Sequence, residues 1–238
     1  MSLNIASESS SRSKEIAYSF DSILGYNTDF GHFKMSTIGD KMIKLASITS
    51  NDSVLEIGGG TGELTLQYSS AAHNTVVTDI NPHMIEVIQQ KAKNENVLYT
   101  LADAKKLPFK DNSFNVVLER NLPLIYEEEF LFDGTAIKTL NEMKRVSSDR
   151  IIIIHQNNTP LQRKENKVHL FKEKEIKAIL ENDLELSSVK IISAIFSTQA
   201  IYHLCGEAFS RKVEKICENN MLLKRFSGCL IACGTKAE

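Results

Sequence analysis

Glu56-x-Gly58-x-Gly60-x-Gly62 places one carboxylate and three alternate glycines where the apolar run Val54-Leu55-Glu56-Ile57 gives way to a predicted helix. Glycine lets a backbone turn tightly, or lets a ligand come close to it, because no Cβ intervenes. A strand that passes through glycines into a helix brings backbone N–H groups and a helix N-terminus to one point, which suits a polar or phosphate-like ligand. Two more acids end later apolar runs: Asp79 after Val76-Val77-Thr78, and Asp103 after Leu101-Ala102. A carboxylate at the end of a second strand can accept both hydroxyls of a ribose. The alternative for Asp79, capping the next helix, is a role that Asn81 fills better. Spacing also disfavours one nucleotide class. The dinucleotide fingerprint needs glycine at position 63, where Glu63 stands.

The elements that must hold these residues follow from hydrophobic periodicity and turn signals. Strands are expected at 54–57, 75–79, 97–101, 114–118, 150–155, 185–193 and 228–235. Helices are expected at 62–70, from Pro82 onward with Asn81 as cap, at 134–146 and at 172–182. Strands alternating with helices predict an α/β three-layer sandwich around a mostly parallel sheet, with ligands at the carboxyl ends of its strands. Residues 1–13 read as a disordered tail and 14–238 as a single domain. Within it, 14–48 is an N-terminal helical lid: a helical period at 14–24, an aromatic loop from Gly25 to Phe33 and a helix at 36–48. The core is 49–195, an insert or second lid is 196–226, and the last strand lies in 227–238.

Composition bounds the class. The chain has 238 residues, 42% hydrophobic and 24% charged, so it can bury an ordinary core. Its formal net charge of −2 supplies no field that would draw nucleic acid or an acidic membrane. The four cysteines, Cys205, Cys217, Cys229 and Cys233, lack paired zinc spacing. They read as thiols of a reducing compartment, with Cys229 and Cys233 on one face of a strand. No metal site is expected. The serine-rich start has no apolar core of a signal peptide, and no run is long enough to span a membrane, so the expected location is cytoplasmic.

The acid-x-Gly-x-Gly-x-Gly pattern resembles motif I of the class I S-adenosylmethionine (SAM) methyltransferases at all four positions. Asp79-Ile80-Asn81-Pro82-His83-Met84 and Leu101-Ala102-Asp103-Ala104 resemble that family's second and third motifs, in order and at family spacing. The run from Leu107-Pro108-Phe109 to Phe114-Asn115-Val116-Val117 is similar to the small-molecule group that includes quinone-biosynthesis enzymes. The resemblance covers about residues 52 to 155. It implies a Rossmann-like seven-stranded sheet with the last strand antiparallel, and SAM as methyl donor with S-adenosylhomocysteine (SAH) released. It also implies roles: Glu56, Gly58, Gly59, Gly60 and Gly62 shape the methionine side, and Asp79 with Ile80 holds the ribose. Met84, Asp103 and Ala104 hold adenine, and Glu119 and Arg120 close the methionine end.

A sulfonium methyl is already activated, so the protein mainly aligns nucleophile, methyl carbon and sulfur, which can supply roughly 7–11 kcal/mol. A hydroxyl or carbon acceptor also needs a base. His155, at the end of four isoleucines, is the candidate. Acceptor contacts are expected from Tyr26, His32, Phe33, Asn121, Tyr126, Tyr202 and His203, and the expected partner is a small molecule bound by a monomer or homodimer. Three alternatives stand. Asn121-Leu122-Pro123-Leu124 resembles the Asn-Leu-Pro-aromatic motif of RNA adenine-N6 methyltransferases, but Leu124 offers no ring for base stacking. A SAM-binding protein that transfers no methyl is the second. A nicotinamide-dependent oxidoreductase, disfavoured by Glu63, is the third.

Overall fold

Ile151, Ile152, Ile153 and Ile154 send alternate side chains to opposite faces of a sheet, and each face has its own core. Ile151 and Ile153 join Leu55, Ile57 and Val117 on one side, while Ile152 and Ile154 join Val54, Val116 and Leu118 on the other. The period of two is the strand's own geometry, and burial on both faces is what a covered parallel sheet requires. The computed structural model describes residues 2–91, 95–122, 134–156, 172–218, 220, 223 and 226–237.

The strands are β1 (Ser53–Ile57), β2 (Asn74–Asp79), β3 (Val97–Leu101), β4 (Phe114–Arg120), β5 (Ser147–Gln156), β6 (Leu186–Ala194) and β7 (Cys229–Lys236). The helices among the described residues are α1 (Ser2–Ile23), α2 (Asp29–Ala46), α3 (Thr65–Tyr68), α4 (Pro82–Lys91), α5 (Thr135–Val146), α6 (Glu173–Ala178) and α7 (Gln199–Glu218). The sheet order is β3-β2-β1-β4-β5-β7-β6. Pairing is parallel from β3 through β5, and β7 runs antiparallel to both of its neighbours. The expected seven-stranded α/β sandwich is therefore the observed one. Because β7 is reversed, its first residues lie beside the last residues of β5, Gln156 opposite Cys229.

The helices differ from expectation in four places. The helix expected from Lys14 begins at Ser2, so residues 2–13 are helical rather than a disordered tail. Its far half is docked on α4: Ala17 and Phe20 pack with Met84 and Val87, and the Ser13 hydroxyl donates to Asn81 Oδ1 at 2.9 Å. Helix α2 begins at Asp29, inside the expected aromatic loop, because Thr28 caps it by accepting the Gly31 N–H at 3.0 Å. A side chain at Gly31 would overlap the Gly25 carbonyl, so glycine here serves helix packing rather than a loop. The helix after the glycines shrinks to α3 and a 3₁₀ turn, Ser69–Ala71. The helix expected at 172–182 divides into α6 and a π turn, Ile179–Asp183.

Two polar ties fasten α2 and α7 to the sheet. Arg150 on β5 pairs with Asp52 and donates to the carbonyls of Ala46 and Ser47, fixing the end of α2 to the sheet. Glu214 on α7 is 4% exposed. Its carboxylate accepts the N–H groups of Ile195 at 3.0 Å, Phe196 at 2.5 Å and Ser197 at 3.1 Å. Lys41 on α2 lies 3.5 Å from the same carboxylate, so α2 and α7 meet at this point. Among the described residues, no helix is long and apolar enough to cross a membrane.

Candidate active site

Gly58, Gly60 and Gly62 adopt φ values of +67°, +54° and +80°, the left-handed region that residues with a Cβ rarely enter. The alternating turn is held from both sides: Gly59 donates to the Thr78 carbonyl and Gly62 to the Gly59 carbonyl, each at 3.0 Å. At Gly59 and Gly62 a Cβ would run into Val77 and Ile88. Gly60 is different. A Cβ there would meet only Phe20, at 3.7 Å, so space stands beside the middle of the turn.

Asp79 faces this turn from the end of β2. Its Oδ2 accepts the Gly60 N–H at 3.0 Å and its Oδ1 accepts the Asn81 N–H at 2.8 Å. Burial raises its pKa, and the N–H bonds from Asn81, Gly60 and Ile80 work against that rise. Three N–H donors leave the carboxylate acceptor capacity for a further donor, since its two oxygens offer about four lone-pair sites. The Asp79 carbonyl accepts the Ala102 N–H at 3.0 Å, which brings the end of β3 alongside. Asp103 accepts the Lys105 N–H at 2.9 Å, and Ala104 is buried. Met84 is buried between α4 and α1, against Phe20, whereas Ile80 is exposed.

Glu56 sits beneath the turn, 2% exposed. Its Oε2 accepts from the Thr65 hydroxyl at 2.5 Å and the Tyr68 hydroxyl at 2.8 Å, joining β1 to α3 across the glycines. Burial raises the Glu56 pKa above the usual carboxylate range, with the hydroxyls of Thr65 and Tyr68 opposing. Glu119 is fully buried, and its Oε2 accepts the Leu122 N–H at 3.0 Å, closing the bend after β4. Helix α1 covers the turn from outside: Asp21 accepts from Thr61 and from Lys91, and Lys91 also reaches Glu63 at 2.8 Å.

Beside this crevice, at the same end of the sheet, lies a cavity of about 320 Å³. Tyr26 and the α2 face of Phe30, Lys34 and Ile38 form one wall; positions i, i+4 and i+8 share a helix face. The ends of β4 and β5 supply Arg120, Asn121, Ile154, His155 and Gln156. Residues from Ile195 to Gln199, Phe226 and the start of β7 complete it. Arg120 donates to the Tyr26 hydroxyl at 2.7 Å and lies 5.1 Å from the centre of its ring. Asn121, at φ +51°, donates its N–H to the Ile154 carbonyl, and its side-chain oxygen accepts the Gln156 N–H at 3.2 Å. His155 is 2% exposed. Ile195 is left-handed at φ +63°, an uncommon conformation for a β-branched residue. Its N–H to Glu214 and its carbonyl to Gly228 hold it there.

The other expected acceptor residues fall elsewhere. His32 is exposed on α2. Phe33 is buried and packs with Phe30 and Tyr202, at ring distances of 6.1 and 5.2 Å, behind the wall rather than on it. His203 is exposed beside Tyr202. Tyr126 lies outside the described residues, as do Pro123 and Leu124. Among the described residues, no group of three or more His, Cys, Asp or Glu is placed to hold a metal ion.

Sequence reading missed Lys34 and Cys229; residues 196–199 fall within the insert expected at 196–226. Burial, and then the charge of Arg120, lowers the Lys34 pKa, and burial pushes the Cys229 thiol up to about 12. The signal for Lys34 is the Phe30-Lys34-Ile38 spacing, which becomes readable once α2 starts at its Thr28 cap.

Residues 54–149 match the family model described as a methyltransferase domain. Among curated proteins, the chain is 43% identical over 82 residues to the ubiquinone/menaquinone biosynthesis C-methyltransferase UbiE of Pseudomonas aeruginosa, covering 32% of each chain. It is 45% identical over 71 residues to the Idiomarina loihiensis protein of the same name, covering 27% of this chain and 28% of that one. The matched stretch thus spans about a third of the length of these relatives. Among solved structures, the chain resembles magnesium protoporphyrin IX methyltransferase (ChlM) from Synechocystis PCC 6803 with bound SAH. The TM-score is 0.57 at 16% identity, over 87% of this chain and 83% of that one. A SAM-dependent methyltransferase from Thermotoga maritima, described as a possible histamine N-methyltransferase, gives a TM-score of 0.62 at 14% identity, over 93% and 98%. The fold is the one these solved methyltransferases share, and residues 54–149 match the methyltransferase domain model.

Proposed function

We propose that this chain is a SAM-dependent methyltransferase that moves the sulfonium methyl of SAM to a small-molecule acceptor and releases SAH. The observation that carries the reading is the Asp79–Gly60 hydrogen bond, which sets a carboxylate with spare lone pairs against a left-handed glycine turn. The residues present fit SAM on this ground: the turn has space at Gly60, and a two-oxygen acceptor for a ribose stands across from it.

When bound, SAM supplies a methyl carbon that needs no further activation. The work of the chain is alignment and exclusion of water. In this reading Gly58 to Gly62 and Asp79 hold the donor, while Asp103, Ala104 and Met84 border its base. The cavity of about 320 Å³ holds the acceptor, a volume at the lower end of small-molecule sites. Tyr26 and Arg120 stand between the two compartments, because Tyr26 also packs on Phe20 over the turn, at a ring distance of 6.3 Å. His155, on the cavity wall, is placed to take a proton from an acceptor that must lose one.

Calorimetry with SAH tests the donor half of the proposal, and transfer of labelled methyl from SAM tests the whole. Binding of SAH with transfer to a small molecule is the expected result. A chain that binds neither SAM nor SAH contradicts the reading.

A further inference from the structure

Two cations share the acceptor cavity, and among the described residues no carboxylate shares it with them. Lys34 comes from α2 and Arg120 from the end of β4, and no described Asp or Glu lines the space. The contrast with Lys41, two turns further along α2, is direct. Lys41 meets Glu214 at 3.5 Å and Glu218 at 3.6 Å. Among the described residues, no carboxylate lies within ion-pair distance of Lys34 or Arg120. What they have instead is aromatic. The Lys34 ammonium lies 5.8 Å from the Tyr26 ring and 5.6 Å from the Phe30 ring, and Arg120 has the ring and hydroxyl of Tyr26.

Like charges in a partly desolvated space repel one another and also lose hydration, and an anion between them offsets both costs. The guanidinium presents donors in a plane that matches a carboxylate or a ring oxygen. Tyr26, Phe30, Phe196 and Phe226 border the same space, which suits a flat ring carrying the charge. We propose that the methyl acceptor is a ring-bearing carboxylate, with its carboxylate held by Lys34 and Arg120; this rests on the methyl-transfer reading above. The rival use of the two cations is to hold the carboxylate of SAM itself. That use would show in donor affinity rather than in acceptor affinity.

The acceptor need not be identified for the test to be made. A small-molecule extract of cells that make the protein is split on a strong anion exchanger at neutral pH. Each fraction is then incubated with wild-type protein and methyl-labelled SAM, and Lys34→Met is assayed in parallel, with SAH affinity measured by calorimetry for both proteins. The expected result is label acquired by the retained fraction, a KM for that fraction at least tenfold higher in Lys34→Met, and unchanged SAH affinity. Label acquired only by the flow-through overturns the anionic assignment and leaves methyl transfer standing, and this arm does not depend on the variant folding. Weakened SAH binding in a folded Lys34→Met, with acceptor KM unchanged, assigns the cations to the donor and also overturns it. Label from no fraction overturns methyl transfer and this assignment together.

Discussion

Asp79 and Gly60 are joined by a 3.0 Å hydrogen bond from the Gly60 N–H to Oδ2, so the end of one strand fixes the glycine turn that follows its neighbour. The bond places the carboxylate and the left-handed turn on the two sides of one crevice. Asp79→Ala removes the tie and, in the proposed reading, the acceptor for a donor's ribose. We expect SAH affinity to fall by about 1.5–3 kcal/mol, the worth of a hydrogen bond to a charged group. Titration calorimetry reads this directly, and unchanged affinity removes Asp79 from the site.

The three glycines should not respond alike. Gly60→Ala costs only the strain of a left-handed alanine, about 1–2 kcal/mol. Gly62→Ala adds a clash with the Ile88 side chain, so its cost in stability should be larger by about 1–3 kcal/mol. Urea midpoints at constant slope compare the two. Equal losses contradict the packing account of Gly62.

Glu56 predicts a pH signature. Burial raises its folded-state pKa, so the folded state binds this proton more tightly than the unfolded chain does. Its contribution to stability is therefore fully present below the unfolded value of about 4.3 and is lost as pH rises through the folded value. Glu56→Gln keeps an acceptor oxygen for Thr65 and Tyr68 and removes the titration. Relative to wild type, the variant should gain stability as pH rises above the usual carboxylate range. A stability difference that is flat with pH between 4 and 8 contradicts this.

Glu214 holds three successive N–H groups of the segment that lines the cavity, and it faces Lys41. Glu214→Ala leaves those N–H donors unpaired and Lys41 with only Glu218 and the Ser193 carbonyl, at a cost of about 1–3 kcal/mol for the unsatisfied donors. Thermal unfolding measures the loss. Acceptor KM should rise with SAH affinity spared, because the segment 195–199 belongs to the acceptor cavity.

His155→Gln should leave SAH affinity unchanged and lower kcat by about 10²-fold or more where the acceptor must lose a proton. Full turnover in the folded variant returns His155 to a structural role.

The glycine turn and the crevice beside it were legible because they are local. Glu56 to Gly62, Asp79 and Asp103 each end a strand that periodicity marks, and left-handed turns call for glycine by type. The cavity was legible only in part, with Tyr26, Asn121 and His155 named but Lys34 and Cys229 not, because it is assembled from pieces far apart in the chain. Tyr26, Lys34, Arg120 and Cys229 meet only through the sheet order, in which reversed β7 brings its start beside the end of β5. The glycines at 25 and 31 also hid the start of α2. Read as loop markers, they masked a Thr28 cap and a helix that needs a bare Gly31 against Gly25. The helical first residues were obscured in a similar way, since serine-rich composition does not reveal that the helix is anchored by Ser13 and Ala17 on α4.

One measurement tests the central claim most directly. Purified protein is incubated with methyl-labelled SAM and a complete cell extract, and RNA, protein and small molecules are then separated and counted. The account predicts label in the small-molecule fraction, with SAH formed in equal amount. Label in RNA contradicts it and moves Asn121 and its neighbours to an adenine-methylating site. No label anywhere, with SAM still bound, contradicts methyl transfer itself.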